Sequence, residues 1–116
     1  MKIADPSKMG GKPVEMNGEV LEGVTIRWLI AKGEGAKNFF MRYFEMEAGA
    51  VIPLHNHSWE HEIYLLKGKC KVIVGEEEKI VDEGVALYIE PDIPHAYENV
   101  GTEKVVFLCM IPNIKK

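Results

Sequence analysis

Cysteine is scarce in this chain of 116 residues, where Cys70 and Cys109 stand alone and far apart. They fall outside any paired-ligand spacing and nothing supports a disulfide between them, so two reduced, packed thiols are expected. Positive charge is also in short supply. Fourteen lysines and arginines face eighteen acidic residues, giving a net charge of −4 and a pI near 5.6. No basic stripe exists that could track a phosphate backbone, which argues against a nucleic-acid partner. The acidic excess sits partly in Glu76-Glu77-Glu78, which reads as a solvated turn. Long apolar runs are missing as well: Met1 to Gly23 holds no stretch suited to a signal peptide or a membrane span. No membrane partner and a cytoplasmic location are therefore expected. Helical periodicity, internal repeats and low-complexity tracts are absent too. The Gly10-Gly11-Lys12 triplet lacks the preceding strand that a phosphate-binding loop requires.

What remains is a sequence of short strands. Apolar residues make up 47% and charged residues 28%, the balance of a soluble globular protein. A chain of this length forms one core and buries roughly 60% or more of its unfolded surface. Residues 24–30 and 39–46 are rich in β-branched and aromatic side chains, and further strands are expected at 62–66, 70–74, 78–81, 86–90, 95–100 and 103–111. Turn residues recur about every ten positions, at Gly49, Gly68, Gly75, Gly84, Pro91 to Pro94 and Gly101. That rhythm indicates an all-β sandwich or barrel. The expected organisation is a single domain over 1–116, with an N-terminal arm at 1–22 and a β-barrel core at 23–112. Pro6, Gly10, Gly11, Pro13 and Gly18 make the arm either loosely ordered or an edge strand laid on a partner subunit.

All four histidines fall into one pattern, His55, His57 and His61 followed by His95. On a strand, residues two apart share a face, so His55 and His57 can reach one ion. His61 has the same parity and joins them if the strand continues or bends around Trp59. His95 must come from another strand, which suits a barrel whose walls converge. Four imidazoles leave an octahedral metal two open positions, the property that separates a reactive site from a closed structural one.

These residues carry a resemblance. The segment Gly49-x5-His55-x-His57-x3-His61-x6-Gly68 is similar to the first motif of the cupin superfamily, which usually has glutamate where His61 stands. Gly84-x5-Glu90-x-Asp92-x2-His95-x3-Asn99 resembles the second, with Glu90 and Asp92 replacing its usual proline and glycine. Aspartate enters left-handed turns more readily than most residues, so the second change is tolerable. The resemblance implies a small antiparallel β-barrel, a jelly-roll-like double-stranded β-helix. More narrowly, the chain resembles single-domain cupins that hold one divalent metal through four histidines, here His55, His57, His61 and His95. Mn, Fe, Co, Ni, Cu and Zn all suit such a set. His61 in place of glutamate leaves the ligands uncharged, so the ion would keep its full charge. The alternative for His61 is to turn outward or shuttle protons.

Two further residues are candidates for catalysis. Arg42 either lies inside the barrel mouth, orienting an anionic substrate, or points outward, solvated or ion-paired. Cys109 by resemblance faces the cavity near the metal, although a plain core residue would look the same. Trp59 is placed to cap the site, and Glu60 is an exposed residue or a partner for a ligating imidazole. Trp28, Phe39, Phe40, Phe44 and Tyr64 are expected to pack in the core or a dimer contact. The leading functional expectation is a metal-dependent oxygenase for a small organic substrate. Its alternatives are a metal-bearing module that binds or senses a small ligand without turnover, and a sugar or sugar-phosphate isomerase. The last wants several basic residues, and the arginines are only Arg27 and Arg42. A homodimer is expected, because an open barrel leaves strand edges to cover.

Overall fold

The computed structural model describes residues 1–114. Ten antiparallel strands follow in order: β1 Lys12–Met16, β2 Glu19–Ile30, β3 Phe39–Met46, β4 Val51–His55, β5 His61–Lys67, β6 Lys69–Val74, β7 Glu77–Asp82, β8 Ala86–Ile89, β9 His95–Asn99 and β10 Val105–Pro112. They form a six-stranded sheet, β1-β2-β3-β10-β5-β8, and a four-stranded sheet, β4-β9-β6-β7. Among the described residues, single 3-10 turns at Pro6–Lys8 and Lys32–Glu34 are the remaining regular structure. The all-β expectation holds, and the arrangement is a small antiparallel barrel of two facing sheets.

Strand alternation puts one face of each sheet into a common core. Phe44 and Phe107, register partners on β3 and β10, stack with centroids 5.0 Å apart. Tyr97 of the opposite sheet meets Phe107 at 5.5 Å. Met46, Leu65, Ile89 and Val105 close the core, each at most 2% exposed. Burial of side chains of this size contributes about 1.5–3 kcal/mol each. Phe40 and Phe44 are in this core, whereas Phe39, Trp28 and Tyr64 are exposed.

The N-terminal segment differs from the expected arm. Residues 12–16 and 19–22 are strand, and β1 pairs antiparallel with β2 of the same chain. The turn between them is Asn17-Gly18, both at positive φ (54° and 81°), the backbone of a two-residue hairpin loop. Pro13 lies within β1, which is an edge strand, where a missing N–H breaks no ladder on the outer side. Arg27 fastens the preceding residues by donating from Nε to the Met9 carbonyl (2.8 Å) while pairing with Glu45 (2.7 Å).

Candidate metal centre

His55 ends β4 and His95 begins β9, and the two are register partners across the four-stranded sheet. Their rings sit 4.2 Å apart. His57 does not continue β4: the strand stops at His55 and residues 56–60 are loop. The two-residue parity expected of His55 and His57 is therefore not what brings them together. The loop carries the chain from one sheet to the other, and a backbone bond from Asp92 N to the His57 carbonyl (2.7 Å) fixes it. Asp92 has φ 65°, the left-handed conformation expected for the residue at this position. His61 then opens β5 in the six-stranded sheet.

One candidate ligand atom from each of His55, His57 and His95 lies within 4.8 Å of the others, close enough to share a metal ion. The His61 ring packs beside them, 4.8 Å from His95 and 5.2 Å from His57. His61 and His95 are buried, at 3% and 1% exposure. His55 and His95 each direct Nδ1 at a backbone carbonyl two residues earlier, Pro53 at 2.7 Å and Ile93 at 2.9 Å. Such contacts fix the tautomer and free Nε2 for a ligand. His95 Nε2 and His61 Nδ1 are buried with no hydrogen-bond partner. The His95 nitrogen fits a bound cation, while His61 stands beside the three histidines whose ligand atoms cluster and is not one of them. Trp59 stacks on His57 at 4.3 Å, as a cap would.

Burial keeps the imidazoles uncharged. It lowers His57 to about 4 and His61 to about 3, helped by the other histidines and by Arg42. His55 and His95 are also lowered, again by burial first. At neutral pH all four offer lone pairs, the state metal binding requires.

A cavity of about 190 Å³ reaches His55, His57 and His61. Arg42 and Cys109 both line it, as do Ile26, Phe44, Ile52 and Phe107. Arg42 Nη2 donates to Cys109 Sγ at 2.9 Å, a contact set by their pairing across β3 and β10. Burial raises the Cys109 thiol against the pull of Arg42, so it stays protonated at neutral pH. Cys70 and Cys109 are both free and buried. Arg27 lies on the outer side, engaged with Glu45, which leaves Arg42 as the one basic residue along this cavity. Glu60 is exposed and accepts from the Tyr88 hydroxyl.

Sequence reasoning overlooked Tyr97, which lines the cavity with its ring 5.8 Å from His95. Burial raises its hydroxyl well above the ordinary range, so it stays protonated and can donate a hydrogen bond. Its signal was the parity of β9, two residues beyond His95. Val14, Glu15 and Met16 of β1 also border the cavity. They escaped notice because they stood in the supposed arm.

Residues 42–111 match the family described as Cupin domain. The chain is a cupin. A 69-residue stretch is 35% identical to the uncharacterized protein MJ1618 of Methanocaldococcus jannaschii, covering 53% of this cupin and 55% of that protein. Another of 70 residues is 34% identical to the mannose-1-phosphate guanylyltransferase RfbM of Salmonella typhimurium, covering 59% of this chain and 14% of that one. The matches thus span about half of the first relative and a small part of the second. Among solved structures, the polyketide cyclase RemF of Streptomyces resistomycificus superposes with a TM-score of 0.88 at 29% identity, over 97% of this chain and 79% of that one. KdgF from Halomonas sp. has a TM-score of 0.81 at 15% identity, covering 97% and 94%, a likeness of fold alone. Among the described residues, no helix is long and apolar enough to cross a membrane.

Proposed function

We propose that this cupin is a metal-dependent enzyme for a small oxygen-bearing organic substrate. One divalent transition metal ion would be held by His55, His57 and His95, with His61 as the fourth ligand. The observation that carries this reading is the cluster of His55, His57 and His95 ligand atoms within 4.8 Å of one another, with His95 Nε2 buried and unpartnered. A buried polar atom left unsatisfied costs about 1–3 kcal/mol, which a bound cation would offset. When bound, the ion would supply Lewis-acid polarisation of a substrate oxygen or an open position for dioxygen.

The chain's own residues prepare that chemistry. The Pro53 and Ile93 carbonyls orient His55 and His95. Phe44, Ile52 and Phe107 give the cavity an apolar wall. The Tyr97 hydroxyl, kept protonated by burial, would donate to a substrate oxygen. Its size, about 190 Å³, is below the roughly 300–1,000 Å³ of drug-sized sites, so the substrate is small. Lewis-acid chemistry is the leading reading, supported by the likeness over nearly the whole chain to a polyketide cyclase. Oxygenation is the second, supported by an apolar wall that would admit dioxygen beside the histidines.

The test begins with elemental analysis of protein purified without a metal-binding tag. One transition metal per chain is expected, with much weaker retention in His61→Ala. A metal 100-fold above its dissociation constant adds about 2.7 kcal/mol of stability, so a chelator should lower the melting temperature. Absence of metal, with no effect of chelator, defeats the reading. Incubation with phenolic, enol and diketone substrates then separates the chemistries. Product without oxygen uptake indicates Lewis-acid catalysis, product with uptake indicates an oxygenase, and tight binding without product indicates a sensing module.

A further inference from the structure

Arg42 sits mid-strand on β3, with Trp28 and Cys109 as register partners on either side. Its guanidinium lies 5.6 Å from the Trp28 ring centroid and 5.1 Å from that of Phe44. One nitrogen donates to the Cys109 sulfur, a weak acceptor, and Nε is buried without any partner. Arg42 takes part in none of the ion pairs among the described residues. Arg27, on the outer side of the same strand pair, has both a carboxylate and a carbonyl. The contrast matters because a desolvated charge without a counter-ion is costly, and aromatic faces offset only part of it.

The histidines deepen the imbalance. Imidazole is neutral or cationic, never anionic at ordinary pH, so the four bring no negative charge to offset either Arg42 or a divalent ion. Glu15 is the one acidic side chain along the cavity, and it is exposed on the edge strand β1. The site is therefore built with excess positive charge, and its ligand must supply the negative charge.

We infer that the substrate is a small carboxylic acid whose carboxylate is anchored by Arg42. This rests on the metal-dependent reading above and names its substrate class. A planar guanidinium fork matches a carboxylate in two parallel hydrogen bonds. A phosphate group would call for several converging donors, and this cavity offers one basic side chain. The apolar remainder of the acid lies against Ile26, Phe44 and Phe107. Arg42 serves here as a binding residue, with the Cys109 sulfur holding its orientation.

Isothermal titration with 2-oxobutyrate and its neutral analogue 2-oxobutanamide tests this, using protein as purified and determining its metal content on the same sample. Wild-type protein should bind the acid about 10-fold or more tightly than the amide, the contribution of one charge-assisted pair. Arg42→Gln should lose about 10- to 100-fold for the acid and several-fold less for the amide, with partial recovery of the acid in Arg42→Lys. Equal affinity for the two probes, no binding of either, or a preference that Arg42→Gln retains would overturn the inference. Should Arg42→Gln not fold, Arg42→Lys takes its place, and an acid preference that Arg42→Lys leaves unchanged overturns the inference. Carboxylate chelation by the metal alone would survive the substitution, so the variant separates it from anchoring. A sample without metal rejects the metal-dependent reading, while the change of the acid-to-amide ratio on substituting Arg42 judges the anchoring.

Discussion

Asn99→Ala should destabilise this cupin far more than the loss of one polar side chain suggests. Asn99 is 2% exposed and makes three hydrogen bonds through its amide. Nδ2 donates to the Met46 carbonyl at 3.0 Å and to the Glu103 carbonyl at 2.9 Å, and Oδ1 accepts from Gly101 N at 3.0 Å. The amide thus ties the end of β9 to the end of β3 and to the turn leading into β10. Each bond contributes about 0.5–1.5 kcal/mol net, and buried groups left unpaired raise the cost further. A total of about 2–4 kcal/mol follows. For a domain of this size, each kcal/mol moves the melting temperature by roughly 4 °C, giving a drop of about 8–16 °C. Urea unfolding followed by circular dichroism measures the change directly. Metal content should persist in the folded variant, because His95 keeps its own ties to Ile93 and to β4. A loss below about 0.5 kcal/mol would show that the surrounding backbone finds other partners and refute the reasoning.

Gly68→Ala should also be poorly tolerated: φ is 89°, and an added Cβ would lie 2.8 Å from the Lys104 carbonyl oxygen. A cost of about 1–3 kcal/mol is expected in thermal melts, and an unchanged melting temperature would argue against the close approach of this turn to β10. We also propose a homodimer, since β1 and β8 leave both edges of the larger sheet unpaired within the chain and Tyr64, Leu66 and Tyr88 are exposed on its strands. Light scattering at micromolar concentration checks this, and a monomer refutes it.

Most of the barrel was legible because β-branched and aromatic runs alternate with glycine and proline turns, and each sheet has one buried face. The histidines were legible because all four fall at the spacing of two motifs. The failures have separate physical causes. Pro6, Gly10, Gly11 and Pro13 read as an arm, loose or an edge strand on a partner, yet Asn17-Gly18 is itself a hairpin signal that lays β1 as an edge strand on its own chain, where Pro13 is accommodated. Parity failed for His57 because the chain leaves β4 at His55, and nothing in Asn56-His57-Ser58 says where pairing stops. For Arg42, alternation gave two equal faces, whereas Cys109 faced inward whether it served the cavity or the core. The cavity lining shows both on the inner face.

The placement of the histidines also bears on why a metal would matter to this fold. His55 and His95 belong to the four-stranded sheet, while His61 starts the first strand after the crossing into the six-stranded sheet. His57 stands on the crossing itself, its carbonyl held by Asp92. A shared ion would therefore clip the two sheets together where the chain passes between them, around residues 55–61. Elsewhere the same sheets are joined by apolar contacts such as Tyr97 on Phe107, which need no ion. Stability from the core and stability from a bound metal would thus act at different places. Loss of the ion should loosen the cavity rim, including the seat of Trp59 on His57, before it unfolds the barrel.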